Sequence, residues 1–99
     1  MQVQKEILKV RIREDLSLDY DVVNVRLAAK DEIEWHTEGG PVIIEFDQEK
    51  HPFAESSFEA TADNPARSGP PVGGVGPYQY EVRSEYMAKS ADPGVNIKP

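Results

Sequence analysis

The chain contains no cysteine, and this absence excludes disulfides, thiol nucleophiles and thiolate-bound metal centres. Histidine is scarce as well, with only His36 and His51 present, so the sequence gives no support for a Ser-His-Asp triad. No long apolar run occurs, and the sequence therefore predicts no membrane-spanning segment. Basic residues number 11 against 18 acidic ones, and the formal net charge of -7 disfavours nucleic acid and anionic membranes as partners.

Length and composition are those of one folded unit. The 99 residues predict a single domain over residues 1–99, and the 38% hydrophobic and 29% charged content is typical of a globular protein. The compartment depends on the chain start. If Met1 is the native start, we expect a cytoplasmic protein; if a leader was removed ahead of it, we expect an exported one.

Alternation of apolar and polar residues dominates the chain and predicts β-strands with one buried face. The strands predicted in this way are Leu8–Ile12, Val23–Leu27, Ile33–Trp35, Val42–Phe46, Tyr78–Val82 and Val95–Ile97, with a further short strand at Ser57–Ala60. Turn-forming residues separate them and no amphipathic helix is found. The pattern predicts an all-β protein, a Greek-key β-sandwich of seven or eight strands.

Residues 63–77 contain four prolines and four glycines, which predicts an irregular loop and the longest candidate for mobility in the chain. Its glycines could suggest a phosphate-binding loop. The Gly-Lys-Ser/Thr ending of such a loop is missing, and no helix is expected to follow. The segment is therefore interpreted as a structural loop.

Three segments carry a resemblance to a known family. An acidic turn leads into an alternating strand that ends in Trp35, a second strand ends in Phe46, and Gly76 is followed by two aromatic residues at alternate positions, Tyr78 and Tyr80. With an opening strand over residues 6–13, this order resembles the cupredoxin family of plastocyanin-like β-sandwiches. The resemblance covers nearly the whole chain and implies the cupredoxin-like fold.

The copper ligands of that family are not matched. The resemblance places a ligand histidine near Pro41 or Val42 and the ligand cysteine at Val82, and all three residues are apolar here. Met87 alone stands near the position of an axial ligand, and a thioether without a thiolate and two imidazoles does not form the site. We expect no blue copper and no cofactor, and we expect Val82 to lie in the core.

A rigid sandwich with variable end loops suits recognition, so the sequence predicts a non-enzymatic module that binds an unknown protein partner, as a monomer or weak dimer. The predicted contact surface lies at one end of the sandwich and comprises Gly39, Gly40, Pro41, Phe53, Tyr86 and Met87.

Two alternatives stay open. One is a metal-handling protein that binds copper or zinc through His36, His51, Met87 and nearby carboxylates, although no spacing matches a known ligand motif. The other is a carbohydrate-binding β-sandwich in which Trp35 stacks on a sugar. The alternation instead favours burial of Trp35, together with Tyr78 and Tyr80.

Overall fold

The computed structural model of the protein describes residues 4–85, 88–89 and 93–99. In this part of the chain there are nine β-strands and no helix, hence no helix that could span a membrane. The strands are β1 (Ile7–Ile12), β2 (Val22–Arg26), β3 (Glu32–Thr37), β4 (Val42–Phe46), β5 (Ser57–Ala60), β6 (Ala66–Arg67), β7 (Gly76–Ser84), β8 (Ala88–Lys89) and β9 (Gly94–Lys98). The all-β prediction is confirmed. The nine strands exceed the predicted seven or eight, because β6 and β8 have only two residues each and are too short to show an alternating pattern.

The strands form two sheets. In the first sheet β1 pairs in parallel with β3, and β3 pairs antiparallel with β6. The second sheet has the order β2-β9-β7-β4-β5, with β8 added at β7. Within it β2 and β9 are parallel and the other pairs are antiparallel. β1 is therefore an edge strand of the first sheet and β2 an edge strand of the second.

Both sheets turn their apolar faces to one core, as the period-2 alternation predicts. Val10 and Ile12 of β1 are buried, and Ile44 of β4 and Val82 of β7 are buried opposite each other in neighbouring strands. The prediction that Val82 lies in the core is confirmed. The valine at this position contributes an apolar side chain to the core.

Trp35 forms the centre of an aromatic cluster between the two sheets. Its ring centroid lies 5.4 Å from that of Phe58, 5.7 Å from Tyr80, 6.3 Å from Phe46 and 6.5 Å from Phe53. Its indole Nε1–H donates a hydrogen bond of 3.4 Å to the Tyr80 hydroxyl. Each such ring pair adds about 1 kcal/mol beyond the buried area. Burial of Trp35 and Tyr80 is confirmed, whereas Tyr78 is only half-buried and its hydroxyl donates to Gly74 O.

The loop predicted over residues 63–77 is only partly irregular. It contains β6, and β7 already begins at Gly76. Ser68 joins this segment to β3, since its N–H donates to Ile33 O and its hydroxyl accepts from Ile33 N–H, both at 2.9 Å. Gly73 N–H donates to Pro52 O, and a Cβ at Gly73 would lie 2.8 Å from the Tyr78 hydroxyl. Composition predicted this segment incorrectly in part, because its backbone hydrogen bonds go to residues far away in the sequence.

Burial of Val82 gives a direct test of the register. We expect Val82→Asp to lower the free energy of unfolding by about 3 kcal/mol, because an unpaired carboxylate would replace an apolar side chain in the core. Urea denaturation measures the change. Glu81→Gln on the exposed face of the same strand is the control, with an expected change within about 0.5 kcal/mol. A similarly small effect of Val82→Asp would contradict the register of β7.

Burial raises the pKa of Tyr80 to about 12, although the hydrogen bond from Trp35 opposes this. A raised native pKa favours the neutral phenol, so this part of the stability is complete below the unfolded pKa of about 10 and is lost as the pH rises through about 12. We expect urea denaturation between pH 9 and pH 12 to show the wild type losing about 2 kcal/mol relative to Tyr80→Phe. Parallel curves for the two proteins would contradict burial of this hydroxyl.

Candidate functional site

Three residues of the predicted end surface lie beside a small depression. Gly39, Gly40 and Pro41 line a shallow depression of about 240 Å³, together with the turn after β1 and the end of β7. The Thr37 hydroxyl accepts from Gly39 N–H at 3.3 Å and donates to Gly40 O at 3.2 Å, which fixes this turn. That these three residues form a contact surface stays a prediction.

Phe53 does not belong to this surface. It is 0% exposed and packs in the Trp35 cluster, so its assignment to the contact surface is wrong. Its backbone also forms an isolated β-bridge with Pro71. Tyr86 and Met87, also assigned to the contact surface, lie outside the described residues.

The two histidines contact different groups. His36 Nε2 lies 2.6 Å from one carboxylate oxygen of Glu34, and Arg67 donates to the other oxygen at 2.5 Å. These hydrogen bonds, that of Arg67 foremost, hold the pKa of Glu34 below its usual value. His51 Nδ1 instead lies 2.6 Å from Phe53 O. Among residues 4–85, 88–89 and 93–99, no three His, Asp or Glu side chains are grouped as metal ligands.

A second concave surface, which the sequence did not predict, lies between β1 and β2. We call it the edge groove; it is lined by residues 7–10, Tyr20 and residues 22–24. Its volume of about 540 Å³ is within the usual range of ligand sites. In the described part of the chain no ladder joins β1 to β2, and the only bridge between their flanks pairs Ile12 with Leu18.

The edge groove exposes apolar side chains. Tyr20 and Val22 are each 58% exposed, and both line it. Leu8 is half-buried on its wall, while Val10 and Val23 are buried and form the contact with the core. Large apolar side chains that are exposed together in a concavity are typical of a binding surface.

The backbone of β1 presents unpaired polar groups to the groove. Glu6 O and Ile12 O accept hydrogen bonds from β3 and its continuation, so the even-numbered residues of β1 bond toward β3. Arg11 O accepts from Asp19 N–H on the opposite side. Because the direction alternates along a strand, the N–H and C=O groups of Ile7 and Lys9 point into the groove.

β2 presents its backbone in the same way. Asp21 O accepts from Gly94 N–H and Leu27 N–H donates to Lys98 O, so the odd-numbered residues of this region bond toward β9. The backbone groups of Val22 and Asn24 therefore point away from β9 and toward the groove. No hydrogen bond from another described strand reaches them.

Two aspartates close the ends of the groove. At one end, the Asp19 carboxylate accepts from Arg11 N–H at 2.9 Å. At the other end, Asp31 accepts from the backbone N–H groups of Glu6 and Arg26, at 2.9 and 3.1 Å, and from the Arg26 guanidinium at 2.8 Å. Between these two aspartates, no hydrogen bond among the described residues joins β1 to β2.

Asp31 is a carboxylate that the sequence analysis did not single out. It is 1% exposed, although it looked like part of an acidic surface turn. Burial on its own would raise the pKa of Asp31, but the hydrogen bonds from Arg26 and from the N–H groups of Glu6 and Arg26 outweigh it and hold this pKa below its usual value. A carboxylate so fully bonded is a structural group rather than an acid or base for catalysis.

Comparison of the sequence with protein-family models and with curated proteins gives no significant match.

The stability provided by Asp31 should depend on pH. Its native pKa lies below the unfolded value of about 3.9, so its contribution is present above about pH 4 and is lost as the pH falls through the native pKa. We expect Asp31→Asn to lower the free energy of unfolding by about 2 kcal/mol at pH 7, and by less as the pH falls from 4 to 2. Urea denaturation across this range measures the difference. Asp63→Asn, at an exposed position, is the control. A pH-independent effect of Asp31→Asn would contradict an ionised, hydrogen-bonded Asp31 carboxylate.

Proposed function

We propose that the protein is a non-enzymatic protein-binding module, formed by one domain over residues 1–99, and that its binding site is the edge groove. The observation that carries this proposal is the coincidence of exposed apolar side chains with unpaired backbone groups in one concave surface. Tyr20 and Val22 supply the apolar area, and the β1 and β2 edges supply the polar groups. A protein segment offers both kinds of complementary group.

We propose further that the two sheets form a cupredoxin-like Greek-key β-sandwich without blue copper. In support, β1, β3, β4 and β7 cover the segments on which the resemblance depends. Val42 and Val82, which occupy or adjoin the ligand positions, are both buried and apolar. Neither residue type binds copper.

The alternatives have less support. For a metal-handling protein, the best-placed imidazole is that of His36, and its neighbour Glu34 is already bound to Arg67. For a carbohydrate-binding module, Trp35 would need an exposed face, and it is 0% exposed. The most deeply buried carboxylate, Asp31, is neutralised by Arg26. These charged and aromatic groups serve the fold, which leaves the groove as the best candidate for recognition.

The energetic weight of such a contact falls on a few residues. Tyrosine is among the residues enriched at the centres of protein interfaces, because it combines a large rigid ring with a polar tip. Tyr20 lies at the end of the groove, beside the point where the chain passes from β1 to β2. We therefore expect Tyr20 and Val22 to anchor the partner.

Selection of random dodecapeptides on the immobilised protein tests the proposal. We expect enriched peptides to bind the wild type and Val75→Asp equally, and to bind Val22→Asp at least about tenfold more weakly, because a charge in the groove opposes apolar contact. Val75 is a matched control because it is 58% exposed, as is Val22, and does not line the groove. Failure to enrich any peptide, or equal binding to all three proteins, would contradict the proposal.

A further inference from the structure

We infer that the edge groove receives an extended segment of alternating apolar and acidic residues, which adds to β1 as a further strand. This inference rests on the proposed function and specifies the chemistry of the partner. It depends on three observations: the direction of the free backbone groups, the apolar wall beneath them and the charge along β1.

The backbone groups favour an extended partner. Ile7 and Lys9 direct four N–H and C=O groups into the groove at the spacing of a β-strand, and Val22 and Asn24 do the same from the other side. A helix bonds its own backbone internally and leaves such edges unpaired. An extended chain between the edges can pair with them, which is the geometry of β-strand addition.

The apolar wall of the groove predicts an apolar residue at every second position of the partner. Leu8, Val10 and Val23 line the groove on the core side. Side chains of an added strand alternate between its two faces, so the residues turned toward this wall would be apolar. Those between them would lie on the solvent face of the first sheet.

The charge of β1 predicts which residues of the partner lie between the apolar ones. Lys9 and Arg11 are exposed on its solvent face, in a protein whose net charge is -7. Arg11 is already in an ion pair and does not line the groove, so Lys9 is the basic residue of β1 within it. The parallel register places Lys9 beside Glu34, but both oxygens of that carboxylate are already bonded, to His36 and Arg67. Lys9 forms no ion pair within the described residues, so an acidic residue on a neighbouring strand would complement it.

The same charges disfavour a second copy of this chain as the occupant. Two copies joined through their β1 edges would bring two basic strands side by side, with Lys9 and Arg11 in each. Like charges opposite each other destabilise strand pairing.

A heptapeptide of alternating glutamate and valine is the probe. We expect its addition to the ¹⁵N-labelled protein to slow amide hydrogen exchange of Ile7 and Lys9 at least about tenfold, because these N–H groups would become bonded. The N–H groups of Leu8 and Val10 point to β3 and should change little. Three outcomes support the inference when they occur together: this alternation, weaker binding of a lysine-valine heptapeptide and loss of binding when proline replaces the central valine.

Charge reversal tests the acidic part. We expect Lys9→Glu to weaken binding of the glutamate-valine peptide about fivefold and to strengthen binding of the lysine-valine peptide, as opposite-charge strand pairs require. Lys50→Glu makes the same change of charge away from the groove, and we expect it to leave both affinities nearly unaltered. Thermal unfolding of both variants checks that they are folded.

Failure of this inference is distinguishable from failure of the proposed function. Dodecapeptides that depend on the groove but are helical or basic when bound would overturn the inference of an added acidic strand. The proposal of a protein-binding module would still hold. If no peptide of any kind protects Ile7 and Lys9 and none depends on Val22, both are overturned. A concentration-dependent dimer that protects the same two amides without peptide would identify a second copy as the occupant and would also overturn the inference.

Discussion

The carboxylate of Asp31 connects parts of the chain that belong to different sheets. It accepts hydrogen bonds from Glu6, which leads into β1 of the first sheet, and from Arg26, which ends β2 of the second. Asp31 itself leads into β3. Because one buried group bonds both edge strands, their separation is fixed at this end of the molecule. The width of the groove and the placement of its side chains depend on that junction.

The two lateral sides of the structure differ. On one side β5 contacts both β3 and β6, so the second sheet curves onto the first. On the other side no ladder joins β1 to β2 among the described residues. The Trp35 cluster lies between the two sheets and is packed from both of them. The open side is the surface that we propose as the binding site.

Sequence alternation predicted the elements whose burial follows from local pattern. Trp35, Tyr80 and Val82 are all buried as expected, because a strand with period-2 alternation has only one face to turn inward. Pairing partners are a different matter. β6 was missed because its two residues are defined by their bonds to Glu34 and Trp35, about thirty residues away.

The candidate site was harder to predict than the fold. Whether an edge is open depends on which strands do not pair, and no local signal in β1 or β2 encodes this. Asp31 and Glu32 resemble a surface turn, yet both are buried, one bonded to Arg26 and the other to Lys5. Tyr20, an aromatic residue between two aspartates, was the one available signal. Aromatic side chains are usually buried, so a tyrosine among turn residues is unusual.

The parallel pairing of β2 with β9 has a consequence for the order in which the protein can fold. Val22 pairs with Gly94 and Arg26 with Lys98, so the pairing of β2 requires a strand that is synthesised about seventy residues later. β9 also lies between β2 and β7, and these two have no direct ladder. During synthesis on a ribosome, β2 therefore emerges early but has no permanent neighbour until β9 follows. Such non-local closure is slow, and a nascent chain stalled before that point would expose two additional unpaired edges to its surroundings.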